Sequence, residues 1–242
     1  MTLGEPAGRD DDRGPLPVAP GRVGILGGTF DPIHIGHLAL AEAAREALGL
    51  ERVLFVPASL PPHRSVAPAA SATDRAAMVE RAIAGNPAFE LSLVELERGG
   101  SSYTAETVEQ LAADVRRDGH EPDLHFILSA EAFAGFSTWN EPARVLAACR
   151  LVVLPREGHP PPDLAAFEAA LPGRLSRVTV LDGPGIRLSA SEIRARAGRG
   201  LSVRYLVPEA VRAYIAERRL YRSARPASVD ADTPDPPTRP TP

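Results

Sequence analysis

The sequence contains no lysine, and all 27 of its basic residues are arginines. A positively charged side chain that binds phosphate must therefore be an arginine or a histidine, with hydroxyls and backbone N–H groups as neutral alternatives. The 31 acidic residues leave a net charge of −4. This balance gives no general attraction to nucleic acid or to an anionic membrane surface, so a phosphate-binding surface must be local.

Cysteine and long apolar runs are also scarce. Cys149 is the single cysteine, which excludes an intrachain disulfide and argues against a zinc site built on cysteines. It lies between an apolar helix end and a strand pattern, where a buried structural thiol is expected. No run of 18 apolar residues occurs, and the N-terminus lacks the basic-then-apolar order of a signal peptide. We therefore expect no membrane partner and a cytoplasmic location.

Large apolar side chains are rare at both ends of the sequence. Residues 1–20 are rich in glycine, proline and aspartate, and residues 223–242 in proline, aspartate and threonine. Such segments bury too little surface to offset the entropy lost on ordering, so we predict two disordered tails. The body between them, residues 21–222, is long enough to bury a full core and is predicted to be one domain.

Strand and helix patterns alternate within this body. Short apolar runs and alternating patterns predict strands at 23–27, 52–57, 89–96, 124–128, 150–154 and 178–181. Amphipathic patterns and start signals predict helices at 36–48, at 73–85 with Thr73 as N-cap, at 105–118, from Ser189, and at 208–217. Repeated strand–helix units predict an α/β, Rossmann-like fold: a doubly wound parallel sheet with a small C-terminal helical part. Ligands of such sheets bind at the carboxyl ends of the strands.

The most informative stretch begins at the first predicted strand. The apolar run 23–26 is followed by Gly27 and Gly28, then by a loop and a helix start that carries His34 and His37. A strand, a glycine turn and a helix N-terminus together direct backbone N–H groups at a phosphate. Two histidines three residues apart lie side by side on one helical turn. Taken alone, the pair could also be half of a metal site or a solvated surface pair.

The combination is far more specific than its parts. Gly-Gly-Thr-Phe-Asp-Pro followed by His-x-Gly-His resembles the signature of the nucleotidyltransferases that transfer a nucleoside monophosphate from ATP or CTP, and especially of the nicotinate and nicotinamide mononucleotide adenylyltransferases. The resemblance implies that the histidine pair is catalytic and that ATP is bound by Gly27, Gly28, Thr29, Phe30, His34 and His37. It also implies Mg²⁺, held mainly by the phosphates and water, so no protein metal ligand is predicted.

A second segment that carries candidate phosphate-binding residues follows Arg187. Ser189 is a good N-cap, and Glu192 three residues later would complete a capping box. This explanation leaves Arg194 unaccounted for, so close to a helix start that attracts anions. The segment resembles the family's Ile-Ser-x-Thr-x-Ile-Arg signature, with a leucine and a serine as mild departures. The resemblance implies that Arg194 is catalytic and clamps the β- and γ-phosphates of ATP, with hydroxyls from Ser189 and Ser191.

Three further segments resemble the nicotinate mononucleotide enzymes: Pro-Pro-His-Arg at 61–64, Ser-Tyr-Thr-Ala-Glu-Thr at 102–107 and Phe-Ser-Thr-Trp at 136–139. Each also has a plain structural explanation, namely a stiff loop, a helix start capped by Thr104 and a core tryptophan. The resemblance implies that the indole stacks on the pyridine ring and that the mononucleotide is bound by Arg64, Tyr103, Thr104, Trp139, Asn140 and Arg156. Backbone donors near the threonine and the asparagine would favour nicotinate over nicotinamide.

One departure falls on the ATP side. The family has Gly-x-Asp after the fourth strand, where this sequence has Ser129 and Glu131. The carboxylate of Glu131 is predicted to bind ATP, but a reshaped or weakened site would begin here.

The function implied is the joining of ATP and nicotinate mononucleotide into nicotinate adenine dinucleotide and pyrophosphate, in NAD biosynthesis. The alternatives are another acceptor, such as nicotinamide mononucleotide or phosphopantetheine, and a non-catalytic nucleotide sensor. A homo-oligomer stays open.

Overall fold

A parallel sheet of six strands forms the centre of the protein. The computed structural model describes residues 19–60, 67–155, 158 and 160–222. Its strands are β1 (Ala19–Gly28), β2 (Leu50–Pro57), β3 (Phe89–Leu91), β4 (Asp123–Ser129), β5 (Arg150–Leu154) and β6 (Val178–Val180). They lie in the order β3-β2-β1-β4-β5-β6, and every neighbouring pair is parallel. This is a doubly wound, Rossmann-like sheet, which confirms the predicted fold class.

Helices cover both faces of this sheet. They are α1 (Ile35–Leu48), α2 (Ala72–Ile83), α3 (Val94–Arg98), α4 (Thr104–Arg117), α5 (Ala130–Ala134), α6 (Pro142–Ala148), α7 (Leu164–Ala170), α8 (Ala190–Gly198) and α9 (Glu209–Glu217). The last two form the C-terminal helical part that was predicted. None of the helices in the described ranges is both long and apolar enough to cross a bilayer.

Successive residues of the strands face two separate cores. On β2, Leu54 and Val56 belong to one apolar cluster, whereas Val53 and Phe55 belong to the other. Helices α3 to α7 close the first cluster, and α1, α2, α8 and α9 close the second. A strand buried on both faces must be apolar along its whole length. This is why continuous apolar runs located the central strands correctly.

The structure corrects two boundaries. The strand predicted over 89–96 ends at Leu91, and Val94–Arg98 form a short helix instead. β3 pairs with β2 over three residues only, from Phe89 to Leu91, and the strand does not continue beyond this pairing. The N-cap of the second helix lies two residues before the predicted one, because the Ser71 hydroxyl, not Thr73, accepts the hydrogen bond from the amide of Asp74 at 3.0 Å.

The ends of the described chain are well anchored. β1 begins at Ala19, two residues inside the predicted N-terminal tail, and the remainder of both predicted tails lies outside the described residues. Near the other end, α9 is fastened to α2 through Asp74, which accepts hydrogen bonds from the Tyr214 hydroxyl at 2.9 Å and from Arg218 Nε at 3.2 Å. Arg81 lies over the Tyr214 ring, 4.3 Å from its centroid.

Cys149 is a structural thiol, as predicted. Its side chain is 2% exposed, and its Sγ donates to the carbonyl of Val145 at 3.2 Å. Burial raises the pKa of this thiol to about 12, so the reactive thiolate is disfavoured near neutral pH.

His125 makes the stability of the fold depend on pH. Burial is the largest influence on the pKa of His125 and lowers it; Asp123 opposes this effect, the cations Arg22 and Arg150 add to it, and the pKa is lowered overall. The unfolded chain therefore binds this proton more readily than the folded chain does. The stabilising effect of the neutral imidazole is fully present above the unfolded pKa, about 6.5, and is lost as the pH falls below it.

Replacing His125 with leucine is therefore expected to weaken this acid dependence. Urea unfolding at pH 7.5 and pH 5.5 measures it as the loss of unfolding free energy between the two values. We expect a smaller loss in His125→Leu than in the unsubstituted protein, since the variant has no imidazole to protonate. An equal or larger loss in the variant would show that His125 does not titrate in this way.

Candidate active site

The sheet reverses its winding between β1 and β4. Strands β2 and β3 extend it to one side of β1, while β5 and β6 extend it to the other side of β4. A crevice at the carboxyl ends of the strands is expected at this switch point. Two pockets open there, of about 340 Å³ and about 210 Å³, and both are lined by Gly27, Leu128 and Ala132. Ligands in the two pockets would therefore lie next to each other.

The larger pocket, called here the first pocket, brings together side chains from three parts of the chain. They come from the start of α1, from α5 after β4, and from the start of α8. The predicted site residues that line it are Gly27, His34, His37, Glu131, Ser189, Ser191 and Arg194. Two histidines and an arginine around one pocket suit a ligand with several phosphates.

The two histidines are held by the start of α1. His34 is the N-cap residue, with extended backbone, and its side chain is buried. The backbone N–H of His34 donates to Nδ1 of His37 at 3.2 Å, and the two rings stack with their centroids 3.7 Å apart. Because Nδ1 of His37 accepts, the neutral ring carries its proton on Nε2, which makes the opposite edge of the ring a hydrogen-bond donor.

Two neighbours explain why the motif needs its other residues. A methyl group on Gly36 would lie 3.1 Å from Nδ1 of His34, so any larger residue would push that ring aside. Phe30, predicted to bind ATP, is 2% exposed and meets the His37 ring edge-on with centroids 5.2 Å apart. It lines neither of the two pockets. In this structure Phe30 therefore contacts His37 and does not line a ligand pocket.

Arg194 is oriented before any ligand arrives. It lies in the first turns of α8, whose N-cap Ser189 accepts a hydrogen bond from the amide of Ser191 at 3.2 Å. One terminal nitrogen of Arg194 donates to the backbone carbonyl of Asp31 at 2.7 Å, and the other to the Ser191 hydroxyl at 3.2 Å. Glu192, the expected partner in a capping box, is exposed. The helix start thus holds a guanidinium beside the first pocket.

Asp31 is a site residue whose role the sequence did not predict. Its carboxylate is 2% exposed and accepts hydrogen bonds from the amides of Ala69 and Ala70, at 2.7 and 3.2 Å, and from the Tyr221 hydroxyl at 2.8 Å. Its carbonyl holds Arg194. A single buried residue therefore joins the loop after β1, the approach to α2 and the C-terminal turn. An aspartate next to a glycine-rich turn was the available signal.

Arg75 is a second buried residue beside the site whose role the sequence did not predict. It is 1% exposed and donates to the carbonyl of Thr29 at 2.8 Å and to that of Ser59 at 3.3 Å. These carbonyls belong to the segments that follow β1 and β2. Arg75 therefore fixes the spacing of two loops beside the crevice. Nothing in the pattern of α2 distinguished this arginine from an exposed one.

Ser129 has a local explanation. It is the N-cap of α5, and its hydroxyl accepts a hydrogen bond from the amide of Ala132 at 3.2 Å. Its φ of −73° is one that any residue adopts. The position thus places no demand for glycine on this backbone, and Glu131 on the same helix lines the first pocket.

The smaller pocket, called here the second pocket, collects the residues predicted for the mononucleotide. It is lined by Gly27, Gly28, Thr29, Tyr103, Thr104, Trp139 and Asn140 from the predicted set. Gly28 and Thr29, predicted for ATP, line this pocket and not the first. Thr104 is the first residue of α4, and the preceding Tyr103 holds the N-cap position, so the threonine does not cap this helix.

Trp139 belongs to both the core and the pocket. Its half-buried ring meets Phe126 edge-on, with centroids 6.0 Å apart, and packs against Phe136 at 5.2 Å. These contacts fix one part of the indole while the residue still lines the second pocket. A fixed aromatic ring is a suitable platform for a flat heteroaromatic ligand.

Two predicted residues cannot be placed. Arg64, with the rest of the Pro-Pro-His-Arg loop, and Arg156 lie outside the described residues. Within the described ranges, no three histidine, cysteine, aspartate or glutamate side chains cluster closely enough to hold a metal ion. The roles of these two arginines stay predictions.

Comparison with known proteins agrees with this geometry. Residues 25–196, which include the end of β1, the histidine pair and Arg194, match the model of the cytidylyltransferase-like family. The chain belongs to this family. A probable nicotinate-nucleotide adenylyltransferase of Symbiobacterium thermophilum is 45% identical over 206 residues, 83% of this chain and 95% of the relative. One of Moorella thermoacetica is 42% identical over 86% of this chain and 94% of the relative.

Solved structures extend the likeness of this cytidylyltransferase-like chain to its fold. The nicotinic acid mononucleotide adenylyltransferase of Plasmodium falciparum, complexed with NaAD, superposes with a TM-score of 0.66 at 16% identity. The match covers 83% of this chain and 97% of that one. At this identity the similarity is one of architecture, and it includes the sheet that forms the crevice.

Proposed function

We propose that this chain transfers the adenylyl group of ATP to the 5′-phosphate of nicotinate mononucleotide, which gives nicotinate adenine dinucleotide and pyrophosphate. The observation that carries the proposal is the pair of adjoining pockets at the switch point, one with the histidine pair and Arg194, the other with Trp139. The relatives from Symbiobacterium and Moorella, both named as nicotinate-nucleotide adenylyltransferases, support the same reaction.

The first pocket is the ATP site of this proposal. An oxygen of the mononucleotide phosphate attacks the α-phosphorus in line, and the bond from that phosphorus to the α,β-bridging oxygen breaks. The enzyme contributes position and charge stabilisation, with no covalent intermediate. Nε2–H of His37 donates a hydrogen bond to the α-phosphate during the transfer. His34 donates one to the α,β-bridging oxygen. Arg194 binds the departing pyrophosphate. Mg²⁺ enters as part of the ATP substrate.

The second pocket is the mononucleotide site. The indole of Trp139 stacks on the pyridinium ring, whose positive charge favours contact with an aromatic face. Backbone donors near Thr104 and Asn140 receive the nicotinate carboxylate. Arg64, which lies outside the described residues, is the cation proposed for the mononucleotide phosphate, since a chain without lysine can supply only arginine or histidine there.

A panel of acceptors tests the proposal. Pyrophosphate release is measured with ATP and Mg²⁺ in the presence of nicotinate mononucleotide, nicotinamide mononucleotide, phosphopantetheine or no acceptor. We expect the highest kcat/KM for nicotinate mononucleotide. Faster release with either other acceptor would reassign the substrate. Binding of ATP without release for any acceptor would make the chain a nucleotide sensor.

Removal of the indole gives a selective prediction. Trp139→Ala is expected to raise KM for nicotinate mononucleotide roughly 10-fold, because stacking on an aromatic side chain contributes about 1–3 kcal/mol. Trp139→Phe should recover part of this loss. KM for ATP serves as the internal control and should change less than twofold. A variant whose two KM values rise together would point to a disturbed core, given the contacts of Trp139 with Phe126 and Phe136.

A further inference from the structure

Glu95 brings a carboxylate to the second pocket, and the sequence analysis assigned it no role. It is the second residue of α3, it is 7% exposed, and it is the only charged residue among the described ones that line this pocket. A carboxylate so deeply buried is costly unless hydrogen bonds satisfy it. The hydrogen-bond partners of its two oxygens therefore indicate which ligand group it would bind.

One carboxylate oxygen of Glu95, Oε1, has a hydrogen-bond donor within the protein. The hydroxyl of Thr107, itself 1% exposed, donates to Oε1 at 2.8 Å. A terminal nitrogen of Arg98 in turn donates to the same Thr107 oxygen at 2.9 Å. The same hydroxyl also lies 3.2 Å from the carbonyl of Tyr103, but the contact with Glu95 is shorter and its acceptor is charged, so the single hydroxyl proton is assigned to Glu95. This chain of hydrogen bonds holds the carboxylate in one orientation.

The other oxygen, Oε2, makes no hydrogen bond to any residue that the structure describes, and Glu95 lines the second pocket. A carboxylate can only accept hydrogen bonds, so a ligand that satisfies it must bring a donor. Nicotinate mononucleotide has acceptors at both ends, the phosphate and the ring carboxylate. Its hydrogen-bond donors are the two ribose hydroxyls.

We propose that Glu95 is a ligand-binding residue that accepts a hydrogen bond from a ribose hydroxyl of the mononucleotide. The inference rests on the proposed function and deepens it. The same carboxylate repels the nicotinate carboxylate, so it sets the direction of the ligand: the ribose faces Glu95, and the ring lies at Trp139 and Asn140. The second pocket thereby selects a ribonucleotide over its deoxy analogues.

Substrate analogues test this role. We compare kcat/KM for nicotinate mononucleotide with kcat/KM for its 2′-deoxy and 3′-deoxy analogues, at saturating ATP. A hydrogen bond to a charged group is worth about a 10- to 100-fold preference. We expect the unsubstituted enzyme to disfavour one of the two analogues by this factor. This comparison needs no variant, and equal use of all three substrates would overturn the proposal.

Variants then assign the preference to Glu95. In Glu95→Gln the preference should fall to less than about threefold, because activity on the ribonucleotide drops while activity on the disfavoured analogue stays nearly constant. Thr107→Ser keeps the orienting hydroxyl and should keep the preference. Glu97→Gln, an exposed glutamate on the same helix, is the matched control.

The outcomes separate three cases. If Glu95→Gln loses activity on ribo- and deoxy-substrates equally, Glu95 only braces α3 against α4 and the proposal is wrong. If the ratio collapses, the ribose contact is established. If the unsubstituted enzyme forms no dinucleotide from nicotinate mononucleotide, the proposed function itself fails, and the ribose contact fails with it.

Discussion

His37→Ala is expected to lower kcat by about 10²- to 10³-fold, as the loss of one donor that stabilises transition-state charge typically does. The structure gives the reason. Nδ1 of His37 is held by the backbone N–H of His34, so the proton resides on Nε2. The donor is thus preorganised, and alanine offers no replacement. Initial rates of pyrophosphate release at saturating ATP and mononucleotide measure the effect.

The control for this prediction is His120→Ala, which removes an exposed histidine that lines neither pocket. It should turn over at the normal rate. His37→Ala loses the hydrogen bond from the His34 backbone N–H to the imidazole, but it should keep its fold, because the amides of His37 and Leu38 still donate to the carbonyl of His34 at the start of α1. A correctly folded His37→Ala variant with nearly normal kcat would remove His37 from the mechanism.

Arg194→Ala has the second large expected effect, a fall of about 10²- to 10³-fold in kcat/KM for ATP. Arg194 is held by the carbonyl of Asp31 and by Ser191, so its guanidinium already faces the site before ATP binds. Arg194→Lys retains the charge but offers one ammonium in place of a fork. Its three donors share a single nitrogen, so it cannot span the Asp31 carbonyl, the Ser191 hydroxyl and the phosphate oxygens that the wider fork reaches. We therefore expect the lysine variant to recover only part of the activity.

The reverse reaction makes the assignment of Arg194 specific. If the arginine binds the pyrophosphate end, its loss should raise KM for pyrophosphate much more than KM for the dinucleotide. Arg199→Ala, at the exposed end of the same helix, is the matched control and should leave both unchanged. Full recovery in Arg194→Lys would mean that charge alone suffices and that the fork geometry is irrelevant.

The sequence predicted the frame of the molecule because the frame depends on local patterns. Strands such as β2 and β5 are buried on both faces and therefore read as unbroken apolar runs. The strand predicted over 89–96 was partly wrong, since Val94–Arg98 turn into a helix once the short pairing with β2 ends. A short apolar segment does not distinguish these two outcomes.

The site was predictable as a set of residues but not as an arrangement. Spacing placed His34 and His37 together, yet their tautomer depends on a backbone amide that the spacing does not reveal. The roles of Asp31, Arg75 and Glu95 depend on partners between 12 and 190 positions away in the chain. Such contacts exist only after the sheet has assembled, so no local pattern could indicate them.

The distribution of the glycine turn between the pockets also needed the structure. Gly27 lines both pockets, whereas Gly28 and Thr29 line the second. The end of β1 therefore lies between the two pockets instead of belonging to one of them. In the proposed reaction this places the attacking phosphate and the α-phosphorus on either side of the same short segment.

The fate of labelled ATP tests the central claim most directly. The enzyme is incubated with nicotinate mononucleotide and with ATP labelled at either the α- or the γ-phosphorus, and the products are separated. We expect the α-label in nicotinate adenine dinucleotide and the γ-label in pyrophosphate, in equal amounts, with none bound to protein. Release of the γ-label as inorganic phosphate, or the α-label as free AMP, would contradict direct adenylyl transfer between the two pockets.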